Sequence, residues 1–419
     1  MSACAAADLA LYAEDRSGGG TQEVFHRLAA TLSARGRRVE LWVTAGDLSA
    51  GRPVPAGVSV VPVPATSRQR TAAALFRTRL HRALPAALLA ALGNSDDVAF
   101  LHLEGLASRL EDRRPHVLLA ATPYRNLEAL FARALLARPP RIFVSEHNDL
   151  RAGHRFGAGR HRAILARLVR ELYPAADGIV AVSHGVAEDV ARRAVLPEER
   201  VCVIYNPAVT PDLPTRAAER VEHPWLRPGE PPVVLAVGRL SASKDLPMLV
   251  RAFARLRARR PARLVVLGEA RRPESSARKV AALEALAHEL GVAAHVVFPG
   301  YVSNPFAWMA RAAVLAVTSR NEGFCNVIAE ALACGCPVVS TDCPSGPAEI
   351  LDRGTYGRLV AVGDDVAMAE ALSATLDEPR DAERLRARAA CFSEVRAVTA
   401  YEQLLWPFRV GSEVAESSR

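Results

Sequence analysis

Short runs rich in Val, Ile and Leu alternate with segments of helical period along most of the chain, which predicts α/β units built around parallel sheets. Strands are expected near residues 9–12, 39–43, 58–63, 98–103, 116–121, 141–145, 178–183 and 201–205, forming a first doubly wound sheet. After the first of them, Phe25, Leu28, Ala29 and Leu32 recur at the spacing of an amphipathic helix, which Arg35 and Gly36 close. The pattern lapses over residues 207–232, where seven prolines disfavour both helix and central strand. A second α/β series follows, with strands expected at 233–237, 263–268, 295–298, 314–318 and 337–341 and helices at 246–259, 279–290, 304–311 and 326–333.

This pattern divides the chain into an N-terminal Rossmann-like domain, 1–206, a Pro-rich linker, 207–232, and a second Rossmann-like domain, 233–395. A C-terminal helix within 396–419 is expected to pack back on the first domain and to end in a frayed tail. The length of 419 residues agrees with two or three domains. With 50% hydrophobic and 23% charged residues, fibrous and disordered classes are excluded.

Net charge is +8, which favours anionic partners without naming one. The basic residues are interspersed with acids and no nucleic-acid motif accompanies them, so nucleic acid is not an expected partner. Seven cysteines, an odd number, do not make a disulfide framework. Cys334, Cys336 and Cys343 lack the spacing and the nearby histidine of a zinc site and read as core thiols. Neither a metal nor a cofactor is expected. No apolar run reaches the roughly 18 residues of a spanning helix, and residues 1–13 carry Asp8 but no basic residue ahead of their apolar stretch, unlike a secretory signal. A protein of the reduced cytosol, soluble or membrane-peripheral, is expected.

Three stretches carry candidate chemistry. Gly18, Gly19 and Gly20 lie between the first strand and the first helix, where a loop without side chains can approach an anion at a helix start. They do not match the dinucleotide fingerprint G-x-G-x-x-G. Arg239 and Lys244 follow the first strand of the second series, at the carboxyl edge where open α/β sheets bind ligands, and two cations there suit a diphosphate. In the stretch 319–339 a strand ends, a turn carries Glu322 and Gly323, and a helix carries Glu330 among Val327, Ile328, Ala331 and Leu332. An unpartnered carboxylate on such a face is costly, and a ribose diol is a natural partner for it.

These residues resemble the family 4 retaining glycosyltransferases of the GT-B fold. The hallmark of that family is a pair of glutamates eight positions apart, here Glu322 and Glu330, within E-G-F-x-x-x-x-x-E-A-x-A-x-G-x-P-V. The resemblance runs through GGGTQEV near the start, SEHND at 145–149, VSHGVAEDV at 182–190, VIYNP at 203–207, VGRLSASKD at 237–245 and the stretch 343–350. The chain departs from the family in having Asp245 where a glycine usually follows the lysine, and Gly268-Glu269-Ala270 in place of G-x-G.

The resemblance implies two Rossmann-like doubly wound domains facing each other across a cleft, and transfer of a hexosyl group from a nucleotide sugar, by family frequency UDP-linked, with retention and without a metal. It implies that Arg239 and Lys244 hold the donor diphosphate and stabilise its leaving charge. Glu322 contacts the donor sugar, Gly323, Phe324 and Asn326 present backbone toward sugar and phosphate, and Glu330 binds the ribose. Gly19 and Gly20 close over the diphosphate, and His147 reaches the sugar near its anomeric carbon from the opposite domain. His102 and His184 have no matching role and are read as structural. A related epimerase or phosphorylase, or a basic nucleic-acid binder, remains as an alternative reading.

On the acceptor side, Arg68, Arg70, Arg77, Arg79 and Arg82 flank Leu75, Phe76, Leu80 and Leu84 in what reads as a basic amphipathic helix able to lie on an anionic membrane. Arg151, Arg155, Arg160 and Arg162 form a second cluster, suited to the pyrophosphate of a lipid-linked glycan acceptor.

Overall fold

The computed structural model describes residues 6–14, 19–44, 53–92, 100–150, 160–270 and 272–407. Seven strands form the first sheet: β1 (Leu9–Ala13), β2 (Val39–Val43), β3 (Ser59–Pro62), β4 (Val117–Ala121), β5 (Arg141–Glu146), β6 (Gly178–Ala181) and β7 (Val201–Val203). Six form the second: β8 (Val233–Val237), β9 (Arg263–Leu267), β10 (Val296–Gly300), β11 (Val314–Val317), β12 (Val338–Thr341) and β13 (Arg358–Val360). The strands of each sheet pair in parallel, in the orders β3-β2-β1-β4-β5-β6-β7 and β10-β9-β8-β11-β12-β13. β1, β2 and β4 are buried at every position, because helices cover both faces of the sheet and leave no polar side to alternate with.

In each sheet the strand order reverses at one place, between β1 and β4 and between β8 and β11. At such a point the loops leaving two neighbouring strands diverge and open a crevice at the carboxyl edge. Four loops border these two crevices: those after β1 and β4 in the first sheet, and those after β8 and β11 in the second.

The helix Glu394–Leu405 lies on the first sheet although it follows every strand of the second among the described residues. It buries Ala397, Val398, Tyr401 and Leu405 in one cluster with Leu9, Leu11, Leu28 and Leu32. Thr31 donates to Glu394, and Arg35 donates to Glu402 and, at 3.3 Å, to the Thr399 hydroxyl.

Several expectations need correction. Residues 100–102 form a turn and Leu103–Arg113 is a helix, not a strand at 98–103, of which 98 and 99 lie outside the described residues. Leu103, Leu106, Ala107 and Leu110 make its buried face, and a short apolar run does not by itself distinguish such a face from a buried strand. Within 207–232 there is a helix, Leu213–Ala218, and a single turn, Pro224–Leu226. Pro214 and Pro224 fall in first turns, where proline loses no intrahelical bond. For the same reason the helix expected from 279 begins at Pro273. The expected basic amphipathic helix stops at Arg77, Arg79 takes a left-handed φ of 56°, and a separate helix follows at Leu84–Leu92. β13 has three residues, too few to show a period.

Candidate active site

The loop after β8 places Arg239 and Lys244 in one pocket with Gly238, Thr318, Ser319 and Val327. Arg239 is exposed, whereas the Lys244 side chain is about a quarter exposed, at 24%. Lys244 Nζ lies 2.6 Å from Glu322 Oε1, and the Ser319 hydroxyl donates to that same oxygen at 2.7 Å. Burial opposes the charge on Lys244, but the Glu322 carboxylate outweighs it and holds the ammonium above its ordinary pKa.

Backbone ties fix the two loops that make this pair. The Thr318 hydroxyl donates to the Lys244 carbonyl at 2.7 Å, and the Arg320 amide donates to the Ser243 carbonyl at 2.7 Å. Asp245 has φ 42°, a conformation that favours glycine but that Asp tolerates. Its carboxylate accepts from Arg320 Nε at 2.8 Å, so the departure from the family pattern keeps the turn and adds a tie to the Glu322 loop. Gly268 has φ 133°, and a Cβ there would sit 2.0 Å from the Gly238 carbonyl oxygen. Only glycine lets the loops after β8 and β9 touch.

At Gly323 the two domains come into close backbone contact. A Cβ on it would lie 1.9 Å from the His147 carbonyl oxygen, and its own carbonyl accepts from the Ser183 hydroxyl at 2.6 Å. Phe324 is buried, with ring centroids 5.4 Å from Tyr205 and 5.5 Å from Phe392. Asn326 begins the helix Asn326–Ala333, and its Oδ1 accepts from Asn206 Nδ2 at 2.8 Å. Glu330, about two turns along, is half-buried. Cys334, Cys336 and Cys343 are buried, and burial pushes each thiol up to about 12.

From the first domain, β5 delivers His147 to the same place, but the side chain is buried rather than open to the cleft. Nε2 lies 2.9 Å from the Ser145 hydroxyl, and the ring meets Phe25 edge-on at 6.2 Å. Nδ1 is buried with no hydrogen-bond partner among the described residues. Burial lowers the His147 pKa to about 4, so the ring is neutral at pH 7. Phe25 belongs to the helix Gly20–Ala34, whose N-cap is Gly19. Among the described residues, a Cβ on Gly20 would meet nothing within 4 Å, and one on Gly19 would meet the end of the flexible Gln22 side chain. Packing against the described residues does not require glycine at either position.

Sequence reasoning missed several buried polar groups along this edge. Glu146 accepts from Asn126 Nδ2 at 2.9 Å and from the Tyr173 hydroxyl, and burial raises its pKa to about 8. Tyr12, at the end of β1, donates to Glu128 at 2.6 Å, and Arg125 Nη1 contacts both of them and, at 3.1 Å, His102 Nδ1. Arginine only donates, so His102 Nδ1 is the acceptor there. The available signal was a charged residue next to apolar ones, Glu146 soon after Ile142 to Val144 and Glu128 between Leu127 and Ala129. Ser183 and Glu349 were also passed over.

On the side expected to take the acceptor, Arg70 and Arg77 approach Glu104 at 2.9 and 3.8 Å, and Phe76 is 59% exposed. Arg151 and Arg155 lie outside the described residues, as does the side chain of Arg160, and Arg162 is exposed. No helix of the described residues is long and apolar enough to cross a membrane.

Residues 231–378 match the family model of glycosyl transferases group 1, and residues 19–207 match that of a glycosyl transferase 4-like domain. The N-acetylgalactosamine-N,N'-diacetylbacillosaminyl-diphospho-undecaprenol 4-alpha-N-acetylgalactosaminyltransferase of Campylobacter jejuni is 33% identical over 233 residues, which cover 55% of this chain and 60% of that protein. The lipopolysaccharide 1,6-galactosyltransferase of Escherichia coli is 27% identical over 269 residues, covering 63% and 66%. The chain thus spans about 60 to 66% of the length of these curated relatives. Among solved structures, HepE of Anabaena in complex with UDP and glucose shares the fold, with a TM-score of 0.71 at 18% identity over 95% of this chain and 99% of that one.

Proposed function

Because this chain belongs to the family 4 type of GT-B glycosyltransferases, we propose that it moves a hexosyl group, with retention, from a UDP-linked sugar to a glycan or lipid-linked glycan in surface polysaccharide or glycolipid synthesis. The observation that carries the reading is the Lys244–Glu322 pair at the point where the second sheet reverses its order. A cation and a carboxylate 2.6 Å apart there match the two ends of a sugar diphosphate, the cation toward phosphate and the carboxylate toward hydroxyls.

In this reading Arg239 and Lys244 hold the diphosphate and stabilise the charge that builds on it as the bond to the anomeric carbon breaks. Glu322 orients the sugar hydroxyls and is not a nucleophile. The acceptor hydroxyl attacks from the face the diphosphate leaves, its oxygen bonds to the anomeric carbon, and its proton passes to a diphosphate oxygen. His147, neutral at pH 7, approaches the sugar end from the opposite domain, and its Nδ1, buried in this structure, reaches the sugar only when the cleft opens around it. Gly323, Phe324 and Asn326 line the sugar and phosphate with backbone, Glu330 takes the ribose, and Gly19 and Gly20 give the diphosphate close backbone approach from the first domain. No metal is part of this scheme.

The acceptor reading draws on what the two curated relatives are named for, a diphospho-undecaprenol-linked sugar and a lipopolysaccharide. It places the enzyme peripherally on the cytoplasmic face of the inner membrane, with exposed Phe76 and its neighbouring arginines toward the lipid. The test is a thermal-shift panel with UDP, GDP, ADP and NAD in EDTA. A ligand at a hundredfold its Kd stabilises the folded chain by about 2.7 kcal/mol, and UDP is expected to do so without metal. Stabilisation by NAD instead overturns the reading.

A further inference from the structure

Glu349 belongs to the second domain, but its carboxylate caps a helix of the first. It accepts from the backbone amides of His184 and Gly185, both at 2.9 Å, at the start of the helix His184–Ala194. The first amides of a helix have no partner within it and sit at the positive end of its dipole, so a carboxylate there is favoured twice. Here the carboxylate comes from 165 and 164 residues away, across the domain boundary.

The surroundings are shaped for this contact. A Cβ on Gly185 would lie 2.7 Å from Ser345 Oγ and 3.1 Å from Ser345 Cα, so glycine is what lets the two segments touch. Within its own domain the Glu349 segment is clamped by Arg388, which donates to the Glu349 carbonyl and, at 2.9 Å, to the Ile350 carbonyl. From the first domain the Tyr205 hydroxyl also faces the carboxylate, and burial with that neighbouring charge raises its pKa. Ser183, the N-cap of the same helix, accepts from the Val186 amide at 3.3 Å and donates to the Gly323 carbonyl. Gly323 directly follows Glu322. One helix start therefore engages the second domain at two places, the Glu349 carboxylate and the loop that carries Glu322.

We infer that Glu349 is a positioning residue: by capping the helix His184–Ala194 across the cleft it holds the two domains closed, and so holds the Glu322–Gly323 loop in register with His147. Its effect on turnover rests on the function proposed above; its effect on closure does not.

The test compares full-length wild type with Glu349→Ala, Glu349→Gln and, as a control on the same helix, Glu188→Ala, an exposed carboxylate. Small-angle X-ray scattering reads closure, circular dichroism reads folding, and UDP titration and single-donor kinetics read the site. For Glu349→Ala the radius of gyration and maximum dimension are expected to rise with the circular dichroism unchanged, and for Glu349→Gln, which keeps one acceptor oxygen, to rise less. UDP affinity is expected to stay within about twofold, since the diphosphate cations lie in the second domain, while kcat falls about tenfold, or 1.4 kcal/mol. Glu188→Ala is expected to behave as wild type. If Glu349→Ala does not fold, Glu349→Gln decides. Unchanged scattering in a folded Glu349 variant overturns the inference, as does a loss of UDP affinity equal to the loss of kcat. A wild type that turns over no nucleotide sugar sinks the transferase reading instead, and the scattering still judges Glu349.

Discussion

Lys244 and Glu322, 78 positions apart, share a bond of 2.6 Å that the Ser319 hydroxyl braces from the other side. One oxygen of Glu322 is thus held by two donors, which fixes the carboxylate. Under the proposed function a diphosphate that binds Lys244 would share its cation with that carboxylate, which would couple donor affinity to the placing of Glu322.

Lys244→Ala is expected to weaken UDP binding by about 2 kcal/mol, roughly thirtyfold, at the low end for truncating one partner of a hydrogen-bonded charge pair because the lysine is partly exposed. Isothermal titration in EDTA measures it. Affinity within a factor of two of wild type removes Lys244 from the diphosphate site.

The two glutamates are expected to separate by parameter. Glu330→Ala lowers nucleotide affinity, whereas Glu322→Ala lowers kcat more than affinity, as for a group whose interaction strengthens in the transition state. Steady-state kinetics beside UDP titration give the ranking, and the reverse order exchanges the two roles.

Burial raises Glu146 to about 8 from its ordinary 4.5, so between those values the folded chain binds a proton that the unfolded chain has released. Stability from this group is full below about 4.5 and is lost as pH rises toward 8, with a slope of at most about 1.4 kcal/mol per pH unit. His147, lowered to about 4 from 6.5, acts oppositely, since its contribution is lost as pH falls from 6.5 to 4. The two overlap below 6.5, and between 6.5 and 8 Glu146 stands apart from His147. Urea titrations of wild type and Glu146→Gln across 6.5 to 8 are expected to show a falling midpoint for the first and a flatter one for the second. Parallel slopes would mean that Glu146 is already ionised at neutral pH.

Gly323→Ala drives a methyl into the His147 carbonyl oxygen, 1.9 Å from the ideal Cβ position. Overpacking of backbone against backbone is expected to cost about 2 kcal/mol and to abolish transfer, because the loop next to Glu322 must shift. Melting temperature and transfer rate are both read, and a variant with wild-type turnover excludes close apposition of the domains during catalysis.

Anionic vesicles at low salt are expected to retain the protein, and Phe76→Ser with Arg79→Glu to release it, because both side chains lie in the stretch proposed to face lipid and Phe76 is 59% exposed. Flotation assays decide this, and wild type that stays with the soluble fraction removes the membrane from the scheme.

The two-sheet architecture, most of the strands and the helix Asn326–Ala333 were legible from the sequence, because apolar period and loop chemistry are local properties. So was the place of Lys244, Glu322 and Glu330 in the fold, each set by a strand end or a helix position a few residues away, while their roles stand as the proposal above. The same local reading misplaced residues 98–103, where a helix face and a buried strand look alike, and missed β13, whose three residues show no period. What it does not hold is any relation that closes through space. That His147 is buried against Phe25 depends on how one helix packs on the first sheet, and that its carbonyl sits on Gly323 and that Glu349 caps a helix begun at His184 depend on how the two sheets meet. Those contacts join residues more than 100 positions apart, where no periodicity connects them, and only the packing of one domain against the other selects which loop touches which.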